Sequence, residues 1–183
     1  KNLIKEKNLE DKIEILLSDY RLIKGKFDRI VSIEMLEAVG DKFFETYFSK
    51  CNEVLKPNGI LAFQVITSPD SRYEEFKTGI DYIQKYIFPG SLLPSIARIN
   101  SAINKTSQMH LLKLEDLGMN YANTLRLWLE RFDKNITEVR KQGFDEKFIR
   151  NWRYYLSYCS AAFQMRNISV VQAVYTRPNN ISF

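Results

Sequence analysis

Two short apolar segments on either side of an amphipathic segment constrain the fold more than any other feature of this chain. Phe27–Ile33 (FDRIVSI) and residues 60–66 have the length and apolar character of buried strands. Between them, residues 41–55 space their apolar side chains as a helix does, and the turn sequence KPNG follows at residues 56–59. This succession predicts the βαβ unit of a doubly wound α/β sheet, whose ligands bind at the carboxyl ends of the strands.

The rest of the chain adds elements to this unit. Residues 13–17 form a short apolar strand pattern, and residues 168–175 (ISVVQAVY) supply a final strand. Residues 121–141 and 145–165 show helical spacing of their apolar side chains. Residues 68–107 mix aromatic and charged residues with prolines, which predicts an inserted, partly helical cap over a substrate site.

Composition narrows the class of protein. With 45% hydrophobic and 27% charged residues, the chain has the composition of one globular domain. It has neither an apolar run of the roughly 18 residues that cross a bilayer nor a secretion signal, so we expect a cytoplasmic protein. Cys51 and Cys159 lack metal-ligand spacing, so we expect free thiols and no metal site.

The net charge of +5 is compatible with solubility, an anionic membrane surface or nucleic acid. The sequence contains no concentrated basic stripe and no nucleic-acid-binding motif. We therefore expect no nucleic-acid partner.

Several segments occur in an order that identifies a family: FDRIVSIEMLEAVG, LKPNGILAFQVIT, IQKYIFPGSLLPS, EDLGMNYANTLRLWLERF, RNWRYYLSYCSAAF and ISVVQAVYTRP. Together they resemble the cyclopropane-fatty-acyl-phospholipid synthases and the mycolic acid cyclopropane synthases. The resemblance implies a Rossmann-like class I methyltransferase sheet that binds S-adenosylmethionine, with a cap inserted at residues 68–107. Two strands and a glycine-rich loop should precede Lys1 in such a fold, so residues 1–183 are expected to form a single partial methyltransferase domain.

The resemblance also implies four cofactor-binding residues. Asp19 and Tyr20 lie where the family flanks the adenine ring, since a carboxylate can accept a hydrogen bond from the adenine amine and an aromatic ring can stack on it. Ser32 and Ile33 would line the amino-acid or sulfonium side of the cofactor through backbone contacts. From the residues alone, Asp19 and Tyr20 are equally compatible with a turn, and Ser32 and Ile33 with any buried strand end.

Four more residues match the family's site for a bicarbonate ion, which removes a proton during cyclopropane formation. Glu37 and Tyr121 match catalytic positions, and Ile66 would offer its backbone amide to the ion. Gln64 stands where well-known members carry histidine, and a glutamine can hydrogen-bond an anion but cannot relay a proton. The alternatives are a solvent-exposed first-turn glutamate, a core tyrosine and a buried strand isoleucine.

Aromatic and apolar residues in the predicted cap provide candidates for an acyl-chain pocket. Tyr82, Tyr86, Phe88 and Leu92 could wall such a tunnel or could form the core of the cap. His110, the only histidine, is expected to lie on the surface or in the cap without a chemical role.

The resemblance implies transfer of a methylene or methyl carbon from S-adenosylmethionine to the cis double bond of unsaturated phospholipid acyl chains, by a cytoplasmic enzyme peripheral to the membrane. An exposed sheet edge, where the preceding strands would pack, predicts self-association as a homodimer. Two alternatives remain open: a small-molecule amine methyltransferase of the same family, and a noncatalytic fragment that binds no cofactor.

Overall fold

A four-stranded mixed sheet organises residues 1–181, the part of the chain that the computed structural model describes. Its strands are β1 (Phe27–Ile33), β2 (Leu55–Thr67), β3 (His110–Asp116) and β4 (Ser169–Thr176), in the spatial order β1-β2-β4-β3. The β1 and β2 strands are parallel, whereas β4 is antiparallel to both β2 and β3.

The helices cover both faces of this sheet. They are α1 (Asn2–Glu6), α2 (Leu36–Val39), α3 (Phe44–Val54), α4 (Tyr73–Thr78), α5 (Tyr82–Tyr86), α6 (Ile96–Thr106), α7 (Gly118–Lys134), α8 (Ile136–Lys141) and α9 (Glu146–Gln164). The predicted α/β class is confirmed, and β1, α3 and β2 form the expected parallel unit.

The connection between α3 and β2 differs from the predicted turn. Strand pairing begins at Leu55, directly after the helix, and the register passes from Phe27 opposite Leu55 to Arg29 opposite Ile60. Residues 56–59 therefore bulge out of a strand rather than separate it from the helix. The bulge requires a glycine, because a Cβ atom at Gly59 would lie 2.5 Å from the Leu55 side chain.

One face of the sheet packs against α3 and α6. Phe48 of α3 contacts Phe63 of β2, whose ring stacks on Tyr175 of β4 with the centroids 5.5 Å apart. Ile99 and Ile103 of α6 are fully buried in the same core. The last helix of the predicted cap segment, residues 68–107, thus packs beside α3 under the sheet.

The other face of the sheet packs against α7 and α9. Ala122 and Leu125 of α7 meet Leu156 and Phe163 of α9 in a second buried cluster. The predicted helix at residues 121–141 begins earlier, at Gly118, and is divided at Asn135 into α7 and α8. The predicted start of the next helix is confirmed, because the Asp145 side chain caps α9.

The structure corrects one prediction about strands and adds a strand that was not predicted. Residues 13–17 are not a strand, because within the described residues no neighbouring strand pairs with them, and Leu17 is 96% exposed. No pattern in the sequence predicts β3, whose seven residues are all exposed although the strand pairs with β4. The free edge of β1 exposes Val31 and Ile33.

Candidate active site

A cavity of about 650 Å³ lies on the α7 and α9 face, beyond the carboxyl ends of β1 and β2. Its size is that of a pocket for a small molecule or part of a lipid chain. Most of its wall is apolar, including Ile66, Phe88, Leu93, Leu125, Phe163 and Ile168. The position agrees with the expected ligand-binding edge of a parallel α/β unit.

Glu37 in the short α2 helix links three parts of this site. Its Oε1 accepts a hydrogen bond of 2.7 Å from the Ile66 backbone amide, and its own carbonyl oxygen accepts one from Leu92. Burial raises the pKa of the Glu37 carboxyl group. Its Oε2 is buried and has no hydrogen-bond partner among residues 1–181. Glu37 therefore lies at the predicted site, but the amide of Ile66 is already bonded to it.

Glu34 is a second carboxylate of the cavity, and the sequence reasoning missed it. Its Oε1 accepts a hydrogen bond of 2.8 Å from the Gln64 side-chain nitrogen, and the Tyr121 hydroxyl lies 3.5 Å from its Oε2. Gln64 in turn accepts a bond of 2.9 Å from the side chain of Gln172. Three predicted site residues, Glu37, Gln64 and Tyr121, are thus brought together around a carboxylate that was not predicted.

Tyr121 and its neighbours form an aromatic wall. The Tyr121 ring packs edge to face on Phe163 at 4.9 Å, and burial raises the pKa of its hydroxyl group. Burial also raises the pKa of Tyr155 and that of the Cys159 thiol, each to about 12. These groups are uncharged at neutral pH, so the acidic groups of the cavity lining are the carboxylates of Glu34, Glu37 and Asp81.

The predicted substrate residues divide into two groups. Phe88 lines the cavity, and Leu92 is buried beside it without lining it. Tyr82 packs against Tyr154 with the ring centroids 4.6 Å apart, and Tyr86 is 58% exposed. Neither of these two tyrosines lines the cavity wall.

The predicted cofactor residues lie outside the cavity. Asp19 forms an ion pair with Arg21, and hydrogen bonds from Arg21 lower the pKa of Asp19 to about 2. The Tyr20 ring packs on Tyr47 of α3 at 5.4 Å. Ser32 is buried and pairs with Phe63, which places its side chain on the α3 face.

The carboxylate of Asp19 can still serve an adenine amine. Its two oxygens offer about four acceptor positions, and the Arg21 backbone and guanidinium groups use three of them. Ile33 pairs with Gln64 and is exposed at the end of β1, on the cavity face of the sheet. These positions are compatible with a cofactor that lies across the end of β1.

Curated relatives match most of this chain. Tuberculostearic acid methyltransferase UfaA1 of Mycobacterium tuberculosis is 40% identical over 161 residues, which are 88% of this chain and 38% of that protein. Cyclopropane-fatty-acyl-phospholipid synthase of Escherichia coli is 38% identical over 169 residues, 90% of this chain and 41% of that protein. The chain thus spans about two fifths of the length of these relatives.

Solved structures show the same fold. The cyclopropane synthase MmaA2 from Mycobacterium tuberculosis has a TM-score of 0.79 at 24% identity, with 97% of this chain and 67% of that chain covered. The mycolic acid cyclopropane synthase CmaA1 complexed with SAH and CTAB has a TM-score of 0.78 at 24% identity, with the same coverage. The sheet and its helices therefore have the class I methyltransferase fold.

A family model agrees with these relatives over almost the whole chain. The family described as mycolic acid cyclopropane synthetase matches residues 1–173. The chain belongs to the mycolic acid cyclopropane synthetase family.

Proposed function

We propose that this chain is part of an enzyme that transfers a methylene or methyl carbon from S-adenosylmethionine to the cis double bond of an unsaturated phospholipid acyl chain. The observation that carries the proposal is the cavity, which combines apolar walls with several carboxylates and places the Tyr121 hydroxyl beside that of Glu34. Burial of a hydrocarbon chain is favourable by about 0.8 kcal/mol per methylene group. The name of the Escherichia coli relative supports a phospholipid substrate.

The chemistry needs a dry site that stabilises positive charge. Addition of a methyl group to a double bond leaves a cation on the neighbouring acyl carbon. The carboxylates of Glu34 and Glu37 favour that charge, and the Tyr121 ring can face it. Apolar walls keep water from capturing the cation.

S-adenosylmethionine would supply the activated methyl group, as the SAH in the CmaA1 structure also suggests. Asp19 would accept a hydrogen bond from the adenine amine through its remaining acceptor position. Tyr20 would lie beside the adenine ring, and the backbone of Ser32 and Ile33 would lie along the sulfonium side.

The bicarbonate ion that the resemblance implies does not fit the described residues. Its predicted donors are engaged, since the amide of Ile66 is bonded to Glu37 and the side-chain amide of Gln64 to Glu34. The ion would also lie near two carboxylates, whose negative charge opposes its binding. We therefore assign no step of the reaction to bicarbonate.

Phospholipid substrates place the proposed enzyme at a membrane surface on the cytoplasmic side, as a peripheral protein. Among residues 1–181, no helix is both long and apolar enough to span a membrane. For residues 1–181 by themselves, we propose self-association as a homodimer through the edge of β1, where Val31 is 68% exposed.

Lipid mass spectrometry tests the proposed function. The full-length natural protein is incubated with vesicles of dioleoylphosphatidylglycerol and isotope-labelled S-adenosylmethionine, and the lipids are then analysed for a labelled one-carbon gain. We expect the gain with the wild type and a loss of about 100-fold in rate with Glu37→Gln, because that change removes from the cavity a carboxyl group whose negative charge would stabilise the cation. Glu138→Gln, a change at an exposed ion pair, is the matched control and should leave the rate unchanged.

Two results would reject the proposal and separate its alternatives. Cofactor binding without any labelled lipid would favour a small-molecule acceptor, which an amine panel would then identify. Failure of the full-length protein to bind the cofactor would favour a noncatalytic role.

A further inference from the structure

The backbone at Glu34 has a conformation that is rare for its residue type. Its φ angle is +49°, in the left-handed region, and its amide donates a 2.8 Å hydrogen bond to the Gln64 carbonyl oxygen. Non-glycine residues occupy this region at an energetic cost, and such residues concentrate at functional sites where the surrounding structure holds them. The conformation places the Glu34 side chain over the end of β2, at the cavity.

Both oxygens of the Glu34 carboxylate face donors. Gln64 donates to Oε1, and the Tyr121 hydroxyl lies beside Oε2. The orientation of Gln64 is set by Gln172, which donates to the Gln64 side-chain oxygen and leaves its nitrogen directed at Glu34. A glutamine held in this way cannot take up a proton, but it can position a carboxylate that does.

The carboxylates of the cavity lining differ in access. Asp81 caps α5, where its side chain accepts a hydrogen bond from the Gln84 amide. Glu37 has one oxygen bonded to the Ile66 amide and the other buried from solvent. Glu34 is exposed and lines the cavity, so substrate atoms can reach it. Glu34 is therefore the carboxylate that can contact the reacting carbon.

We infer that the Glu34 carboxylate is the base of the reaction and replaces the bicarbonate ion expected from the family. The inference rests on the proposed function. After the methyl group has been added, a C–H bond of that group breaks and its electron pair forms the ring bond to the cationic carbon. The proton passes to Glu34, which becomes a neutral carboxylic acid and later releases the proton to water.

This assignment explains why Gln64 is compatible with the reaction. The negative charge and the proton acceptor both belong to a side chain of the protein, so no histidine is needed to manage a bound anion. Gln64, Gln172 and Tyr121 are then positioning residues for Glu34.

The test measures the lipid-transfer rate of the full-length protein in buffer freed of bicarbonate and then with millimolar bicarbonate added. We expect the wild-type rate to change by less than about twofold. Glu34→Gln should lower the rate about 100-fold or more, because a general base is lost while the hydrogen-bonding shape is kept. Glu34→Gly should be equally impaired without bicarbonate. Added bicarbonate should restore part of its rate, because removal of the Glu34 side chain leaves space for the anion and takes away a negative charge that would repel it.

Two measurements besides activity separate a base from a structural residue. Labelled S-adenosylmethionine binding, measured by equilibrium dialysis, and the thermal unfolding midpoint should both be unchanged in Glu34→Gln. Glycine tolerates the left-handed backbone at this position, so Glu34→Gly should also remain folded. A rate loss accompanied by weaker cofactor binding or a lower midpoint would instead assign Glu34 a structural role.

The remaining outcomes distinguish this inference from the proposed function. A wild-type rate that rises about tenfold with bicarbonate, or a Glu34→Gln rate within about twofold of the wild type, would reject Glu34 as the base and leave lipid transfer standing. A wild-type protein that binds the cofactor and labels no lipid would reject the proposed function, and the role of Glu34 with it.

Discussion

Arg98 joins α6 to the start of α3, and its replacement should destabilise the fold by a predictable amount. Its guanidinium group donates to Asp41 at 2.6 Å and to both carboxylate oxygens of Glu45 at 3.0 and 3.1 Å. The side chains of Arg98 and Asp41 are only 17% and 22% exposed. This ion pair is therefore poorly screened by solvent, unlike most surface ion pairs.

The pKa of Asp41 gives the scale of the effect. Burial alone would raise this pKa, but hydrogen bonds from Tyr73, Arg98 and Lys77 outweigh burial and lower it from 3.8 to about 2. The difference corresponds to about 2.5 kcal/mol, since a tenfold change in an equilibrium constant is about 1.4 kcal/mol. Arg98 provides part of this and also stabilises Glu45, so Arg98→Met should reduce the free energy of unfolding by about 2 kcal/mol at neutral pH.

The effect should depend on pH in a defined direction. A carboxyl group whose pKa is lowered by folding contributes stability above its unfolded value, and this contribution is lost as the pH falls through its folded value. The difference between the wild type and Arg98→Met should therefore be full above about pH 4 and should shrink towards pH 2, following the pKa of Asp41.

Urea unfolding of the two proteins at a series of pH values would check this reasoning. Arg140→Met is the matched control, because Arg140 pairs with Glu146 on the surface with both side chains more than half exposed. The control should change the free energy of unfolding by less than about 0.5 kcal/mol. Equal effects of the two substitutions, or an Arg98 effect that is the same at pH 2 and pH 7, would refute the argument.

Two further predictions concern the thiols and a helix cap. Burial raises the pKa of Cys159 to about 12 and that of Cys51 to about 11, so alkylation at neutral pH followed by peptide mapping should find both unmodified until urea is added; rapid modification of the folded protein would contradict this. Asp145→Ala removes the 2.7 Å bond to the Phe148 amide and should lower the free energy of unfolding by about 1 kcal/mol, measured by urea titration. An unchanged unfolding midpoint would show that the cap contributes nothing.

The sequence pattern predicts those helices and strands whose buried apolar residues recur at regular spacing. The α3 helix was recognisable because its buried residues Phe44, Tyr47, Phe48 and Cys51 follow helical spacing. The α9 helix combines helical spacing of its apolar side chains with a recognisable cap at Asp145, and the two features together predict where it begins.

Elements that depend on pairing were predicted less well. Residues 13–17 have the apolar content of a strand, but a strand forms only where a neighbour supplies hydrogen bonds, and within residues 1–181 none does so here. Residues 110–116 have no buried face, and β4 alone makes them a strand. The division of the 121–141 helix at Asn135 likewise follows from how the chain packs and not from its periodicity.

At the candidate site too, the types of the residues were predictable from the sequence, whereas their contacts across the sheet were not. Resemblance identified Glu37, Gln64 and Tyr121 one residue at a time, but it could not show which donors were already in use. Which donors are in use depends on how β1 and β2 align, and their parallel register sets Ile33 opposite Gln64. The next residue after β1, Glu34, is therefore placed beside Gln64 although 30 positions separate them in the chain.

This register changes the meaning of the glutamine at position 64. By resemblance alone, Gln64 stands where the family is expected to carry a histidine, and a glutamine cannot carry a proton. Beside Glu34 it becomes a donor that orients a carboxylate, and the negative charge that a bound anion would bring is already present in the chain. If Glu34 is the base, as we propose, a glutamine at position 64 is compatible with activity because the fold brings a proton acceptor to the same point. The activity of Glu34→Gln, with Gln64 unchanged, is therefore more informative about this site than that of Gln64→His would be.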